Sequence, residues 1–224
     1  MTEKIGTIKE RAVKFATLVE SMIEDAVEGI ENKDQSALET VIRKKEPLAN
    51  SMEIEIDELC IKHLALIRPE AKDLRITMMV AKMSNDLERI GDHAVNIAKS
   101  GVFLLDKPFM NSLNEIPKMA ALVGGMIKHT IDAFVREDAG LAEKVLKDDD
   151  GIDDFRDRMM NELIVKIKES PDKTDLVIHL MNIVRNLERV GDLATNIAEN
   201  VIYIIKGKVI KIHTGDDTDI KNAI

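Results

Sequence analysis

With 224 residues, of which 45% are apolar, 33% charged and 3% aromatic, and with no tryptophan, the chain has the makeup of an all-α protein built on aliphatic side chains and methionine, not of a β-sandwich. Its net charge of −9 repels phosphate backbones and no cluster of Lys and Arg offsets it, which argues against direct nucleic-acid binding. No apolar run reaches the roughly 18 residues of a membrane span, the Met1-Thr2-Glu3-Lys4 start lacks a secretory core, and a single Cys60 excludes an internal disulfide, so a cytoplasmic protein is expected.

Apolar residues recur at helical spacing from Ile5 to Ile30 and stop at a polar turn, Glu31 to Gln35. A second run extends from near Ser36 to Ile67, Pro69 interrupts it, and a third run from about Glu70 reaches Leu105. Short connectors make these three helices antiparallel neighbours. The order then recurs: Ile116 to Val135, a Glu137-Asp138-Ala139-Gly140 turn, Leu141 to Lys168, a break at Ser170-Pro171-Asp172-Lys173, and Thr174 to Ile205. Aligning the halves sets Met22 against Met126, Val41 against Val145, Pro69 against Pro171 and Glu88 against Glu188. So slow a drift in offset implies duplication of a whole three-helix unit. The expected organisation is a first repeat over 1–108, a second over 109–206 and a tail over 207–224, in which Val209 to Ile212 reads as a short strand and Gly215 to Asn222 as loose.

The most informative feature lies within the last helix of each unit. Leu87-Glu88-Arg89-Ile90-Gly91-Asp92 nearly repeats as Leu187-Glu188-Arg189-Val190-Gly191-Asp192, and each copy is followed by Ala-x-Asn-Ile-Ala. Residues four apart share a helical face, so Glu88, Asp92 and Asn96 form one stripe and Glu188, Asp192 and Asn196 its copy. A repeated helix needs only its apolar stripe to keep its fold; a repeated acidic stripe asks for a chemical reason. Gly91 and Gly191 add to this, since a mid-helix glycine costs about 1 kcal/mol relative to alanine and usually marks close approach by a neighbour. The partner carboxylates are expected on the second helix of each unit. Asp149 and Asp153 share a face there, and the internal alignment maps them to Glu46 and Asn50, with Glu53 and Asp57 continuing that stripe. Pro47 directly after Glu46 predicts a late start or a kink, so the second half offers the cleaner set. Carboxylates meeting between helices need a cation to stay ionised together, and an all-oxygen donor set favours Mg²⁺, Ca²⁺, Mn²⁺ or oxidised iron.

Other residues read more plainly. Arg89 and Asp92 can form an i, i+3 ion pair worth a few tenths of a kcal/mol. Cys60 and the methionines Met22, Met78, Met79, Met83 and Met126 fall at core spacing. His93 is replaced by Leu193 in the copy and is expected either to support the site from behind its ligands or to be structural; the other histidines have no repeat partner and read as incidental. A carboxylate-bridged dimetal enzyme would carry Glu three residues before a histidine, but those positions hold Cys60, Ile90, Met126, Leu176 and Ile210. No phosphate-binding loop or nucleophile motif occurs. A bundle whose acidic stripes are merely salt-bridged is the remaining alternative.

Both Leu-Glu-Arg-x-Gly-Asp copies, Pro69-Glu70-Ala71-x-Asp73-Leu74-Arg75 and Asp149-Asp150-x-Ile152-Asp153 closely resemble the PhoU family of phosphate-transport regulators. The resemblance implies two antiparallel three-helix bundles related by pseudo-twofold symmetry. It also implies metal ions or multinuclear clusters, including iron, held by E/D-x-x-x-D motifs that fall on Glu88 with Asp92, Glu188 with Asp192, Asp149 with Asp153, and Glu46 with Asn50, where an amide replaces the expected carboxylate. The implied role is a homodimeric, non-catalytic negative regulator of the phosphate-starvation response. Its implied partners are the ATPase of the phosphate ABC transporter and a sensor histidine kinase, through which it would reach the membrane only peripherally.

Overall fold

The computed structural model describes residues 3–107 and 115–208; the strand expected at Val209 to Ile212, the loose segment after it and His213 lie outside them. Helix α1 (Glu3–Glu31) is followed by α2 (Gln35–Thr40), a π-helical turn (Val41–Lys45) and α3 (Glu46–Ile67), then by α4 (Ala71–Leu104). The second set is α5 (Ile116–Arg136), α6 (Ala139–Glu169), a 3₁₀ turn (Pro171–Lys173) and α7 (Thr174–Lys206). No strand occurs among the described residues, and no helix there is long and apolar enough to cross a membrane.

The turns show why the two sets are alike. Lys33 and Glu137, at equivalent positions, both take the left-handed conformation, with φ of 52° and 55°. The next residue is an aspartate in each case, and its carboxylate caps the following helix: Asp34 accepts from the Ala37 N–H and Asp138 from the Leu141 N–H, each at 3.1 Å. Glu137 also receives hydrogen bonds from Lys9 on α1, at 3.0 Å, and from Lys72 on α4, tying the second half to the first.

The second helix of the first set differs from expectation. Pro47 neither delays nor breaks it. The backbone widens into the π turn at Val41–Lys45, with the Glu46 N–H bonding to the Val41 carbonyl, and the chain continues as α3 with Pro47 in its first turn. The wider turn accommodates a ring that would otherwise meet a carbonyl one turn back.

Each set packs as a three-helix bundle, and α4 lies against α7 along their lengths. One apolar core runs through both sets, with Phe15, Met22, Ile90, Phe134, Val190 and Ile197 almost fully buried. Met22, Met83 and Met126 are core residues as expected, but Met78 is 43% exposed. Two contacts set the register of the central pair: His93 Nδ1 meets Asn186 Oδ1 at 2.8 Å, and Arg75 Nε donates to the Ile204 carbonyl at 3.4 Å. Both belong to one antiparallel register, which brings the middle of Leu87–Asp92 level with the middle of Leu187–Asp192. The duplicated motifs therefore straddle the pseudo-twofold axis at the waist of the molecule.

Candidate functional site

Side-chain packing at the two glycines tests the internal alignment directly. A Cβ on Gly91 would lie 3.5 Å from the Ala49 Cβ and 3.6 Å from the Met22 Cε; on Gly191 it would lie 3.4 Å from Ile152 and 3.5 Å from Asp149 Oδ1. Ala49 precedes Asn50 as Ile152 precedes Asp153, so α3 meets α4 as α6 meets α7. These distances are ordinary van der Waals contact, however, so neither glycine is required by a backbone crowding it. The tight places are Gly29 and Gly101, where a Cβ would come within 2.8 Å of Leu38 and 2.6 Å of Ile30.

In the first half, Glu88 and Asp92 on α4 face Glu46 and Glu53 on α3. Burial first, then the charges of Asp92 and Glu53, raise the Glu88 carboxyl above its usual range; Arg89 opposes this weakly and Glu46 adds to it. Arg89 does not pair with Asp92 as the i, i+3 reading expects. It turns back toward Asp86, Nη1 to Oδ1 3.6 Å. The amide of Asn50 donates to Glu46 Oε1 at 3.2 Å, and that of Asn85 to Glu53 Oε1 at 3.4 Å. Amides thus hold these carboxylates in place without neutralising them.

The second half solves the same crowding differently. Asp149 is buried against Gly191, and Arg156, one turn after Asp153, reaches across to α7. Its Nη1 lies 2.9 Å from Asp153 Oδ1 and 2.6 Å from Glu188 Oε1, while its Nε bonds Asp157 at 2.9 Å. Arg189 adds contacts of 3.7 Å to Glu188 Oε2 and 3.5 Å to Asp192 Oδ2. The set expected to be the cleaner acidic site carries its own cation.

The two asparagines lie at the surface, as Asp92 does. Asn96 is exposed on α4. Asn196 lines a hollow of about 590 Å³ between α3, α4 and α7, together with Asp57, Asn85, Asp86 and Glu199. Burial lifts the Asp86 carboxyl to about 6, against Arg89 and Lys82. Neither Arg156 nor Asp86 was singled out from the sequence. The signal for Arg156 was present, because the internal alignment sets it opposite Glu53 and so reverses the charge at equivalent positions.

Among the described residues, no three His, Cys, Asp or Glu side chains converge closely enough to coordinate an ion as they stand. The donor chemistry of the first set, crowded carboxylates that no Lys or Arg among the described residues holds in an ion pair, suits a hard metal once the side chains draw together. In the second set the guanidinium already uses the carboxylate oxygens. Of the histidines, His93 reaches across to Asn186 on α7. The Asn186 amide nitrogen is committed to the Asn182 carbonyl at 2.7 Å, so its oxygen faces His93, which donates through Nδ1.

Comparison with known proteins agrees with this architecture. The family model described as the PhoU domain matches twice, over residues 13–101 and 116–201. A protein of Aquifex aeolicus described as a phosphate-specific transport system accessory protein PhoU homolog is 34% identical, covering 93% of this chain and 94% of that one. The crystal structure of PhoU from Pseudomonas aeruginosa superposes with a TM-score of 0.88 at 33% identity, covering 92% of this chain and 98% of that one. The regulatory protein PhoU from Streptococcus pneumoniae shares the fold at a TM-score of 0.86 and 24% identity, covering 93% and 98%.

Proposed function

Because the chain belongs to the PhoU family, we propose that it is an accessory regulator of phosphate uptake and signalling that works by binding rather than by turnover. Its partners on this reading are the ATPase of the phosphate ABC transporter and a sensor histidine kinase, and it holds the phosphate-starvation response off when phosphate is plentiful. It acts in the cytoplasm and meets the membrane through those partners.

The observation that most supports a binding role is the acidic face at the waist, where Glu88 is raised by burial and by Asp92, Glu53 and Glu46. Carboxylates kept crowded in this way, with Glu88 raised by burial and by its acidic neighbours, fit a surface made for a charged ligand. Glu46, Glu53, Glu88 and Asp92 would hold the metal, with Asn50 as a neutral oxygen donor. A hard cation bound there supplies the charge that lets these carboxylates ionise together. Asn85 and Asn50 orient the carboxylates.

Deleting the gene tests the regulatory role: phosphate-starvation genes should be expressed in phosphate-replete medium, and unaltered repression overturns the proposal. Elemental analysis of the purified protein and of its Glu88→Gln/Asp92→Asn variant tests the metal, which the variant should lose.

A further inference from the structure

The two halves are copies in backbone but not in charge. Where the first has Glu53 beside Glu88, the second has Arg156 beside Glu188, and the matching contacts of Gly91 with Ala49 and Gly191 with Ile152 show that these positions are equivalent. Arg156 is more than a surface ion pair: its side chain is 27% exposed and that of Glu188 is 13% exposed. Its guanidinium bonds carboxylates on both helices, Asp153 and Asp157 on α6 and Glu188 on α7. Arg189 covers the other oxygen of Glu188 and reaches Asp192. A guanidinium keeps its charge at any physiological pH and presents its donors in a planar fork that matches carboxylates. The lone pairs it uses are those a hard metal would need, and the two cannot share them.

We propose that Arg156 is the resident counter-ion of the second carboxylate set and closes that half to divalent cations, so that the duplicated motif yields one metal-competent face and one arginine-locked face. The part concerning the first face rests on the metal-binding reading above; the part concerning the second does not. The locked face carries its counter-ions within the chain, so its geometry does not wait on a metal. An internal repeat thereby carries one responsive copy and one fixed copy.

The test uses the full-length chain, stripped with chelator, and Mn²⁺ as the probe, its binding counted by the loss of the free-ion electron paramagnetic resonance signal. Arg156→Gln should bind one more Mn²⁺ per chain than the parent, and Arg156→Lys, which keeps the charge, should not. Adding Glu188→Gln and Asp192→Asn to Arg156→Gln should abolish the gain, and the same pair in the parent should leave its Mn²⁺ count unchanged. Placing the cation in the other half, as Glu53→Arg, should remove whatever Mn²⁺ the parent binds. A parent that binds none while Arg156→Gln binds one upholds the lock and rejects the metal reading of the first face. An Arg156→Gln protein, shown folded by circular dichroism, with the parental count overturns the lock, whatever the parent binds. So does loss of Mn²⁺ from the parent on changing Glu188 and Asp192, a measurement that stands even where Arg156→Gln fails to fold.

Discussion

The Cβ of Ala49 lies 3.5 Å from where Gly91 would carry one. The glycine at the centre of the duplicated motif therefore has room for a methyl group. Gly91→Ala should raise stability by up to about 1 kcal/mol, the helix-propensity difference. Gly101→Ala, whose methyl would meet Ile30 Cγ1 at 2.6 Å, should lower it by about 1 to 2 kcal/mol because overpacking outweighs propensity. Urea unfolding of both variants checks the pair, and the opposite ranking would show that the glycines serve the waist and not the ends of the helices.

Asp86 is a burden at neutral pH. Its carboxyl titrates at about 6 in the folded chain against 3.8 unperturbed, so the native state holds a proton that the unfolded state has released. Stability should therefore fall as pH rises from about 4 to about 6 and carry the full cost above that. Asp86→Asn should add about 2 kcal/mol at pH 7.5 and little at pH 4, after allowing for its lost pairing with Arg89. Unfolding curves at the two pH values decide it.

Relieving the first face should also show in the metal-free protein. Glu88 and Asp92 are like charges four residues apart on one helix, an arrangement that costs a few tenths of a kcal/mol, and burial adds to the strain on Glu88. In chelator, Glu88→Gln should match or exceed the parent in melting temperature. In excess Mn²⁺ the order should reverse.

The hydrogen bond of His93 to Asn186, at 2.8 Å, joins the two halves at their central helices. His93→Ala should cost about 1 kcal/mol by leaving the Asn186 oxygen without its donor, with helicity unchanged. A cost near zero in chemical unfolding would mean that water replaces the imidazole fully.

Cys60 is buried, and burial, helped by Asp57, lifts its thiol to about 11. In the native chain at pH 8 a disulfide reagent should react about a hundredfold or more slowly than with the guanidinium-unfolded chain, because the thiolate is both scarce and covered.

Much of this was legible beforehand because it rests on local rules. The 3.6-residue apolar period located the long helices to within a residue or two, and the paired prolines Pro69 and Pro171 marked equivalent turns. The correspondence of Glu46 and Asn50 with Asp149 and Asp153 followed from the repeat alone. What escaped depends on relations between helices. Pro47 is disruptive on a regular α-helix, whereas a π turn absorbs it. The carboxylates of the second set read as the cleaner site along the chain, but the arginine one turn further on reaches Glu188 across two helices. Asn196 shares a stripe with Asp192, yet it lines the hollow with Asp57 and Asp86, since a helix as long as α7 passes more than one neighbour.

Glu137 gathers lysines from both α1 and α4 at a single elbow, and the residue at the matching elbow of the first half, Lys33, carries the opposite sign. The two extremities of the seam between the halves are therefore fastened by different chemistry, ion pairs to Glu137 at one and the stack of Phe103 on His179, with ring centroids 3.9 Å apart, at the other. Ionic strength should loosen the first and leave the second untouched, a contrast that amide hydrogen exchange along the long central helices would read.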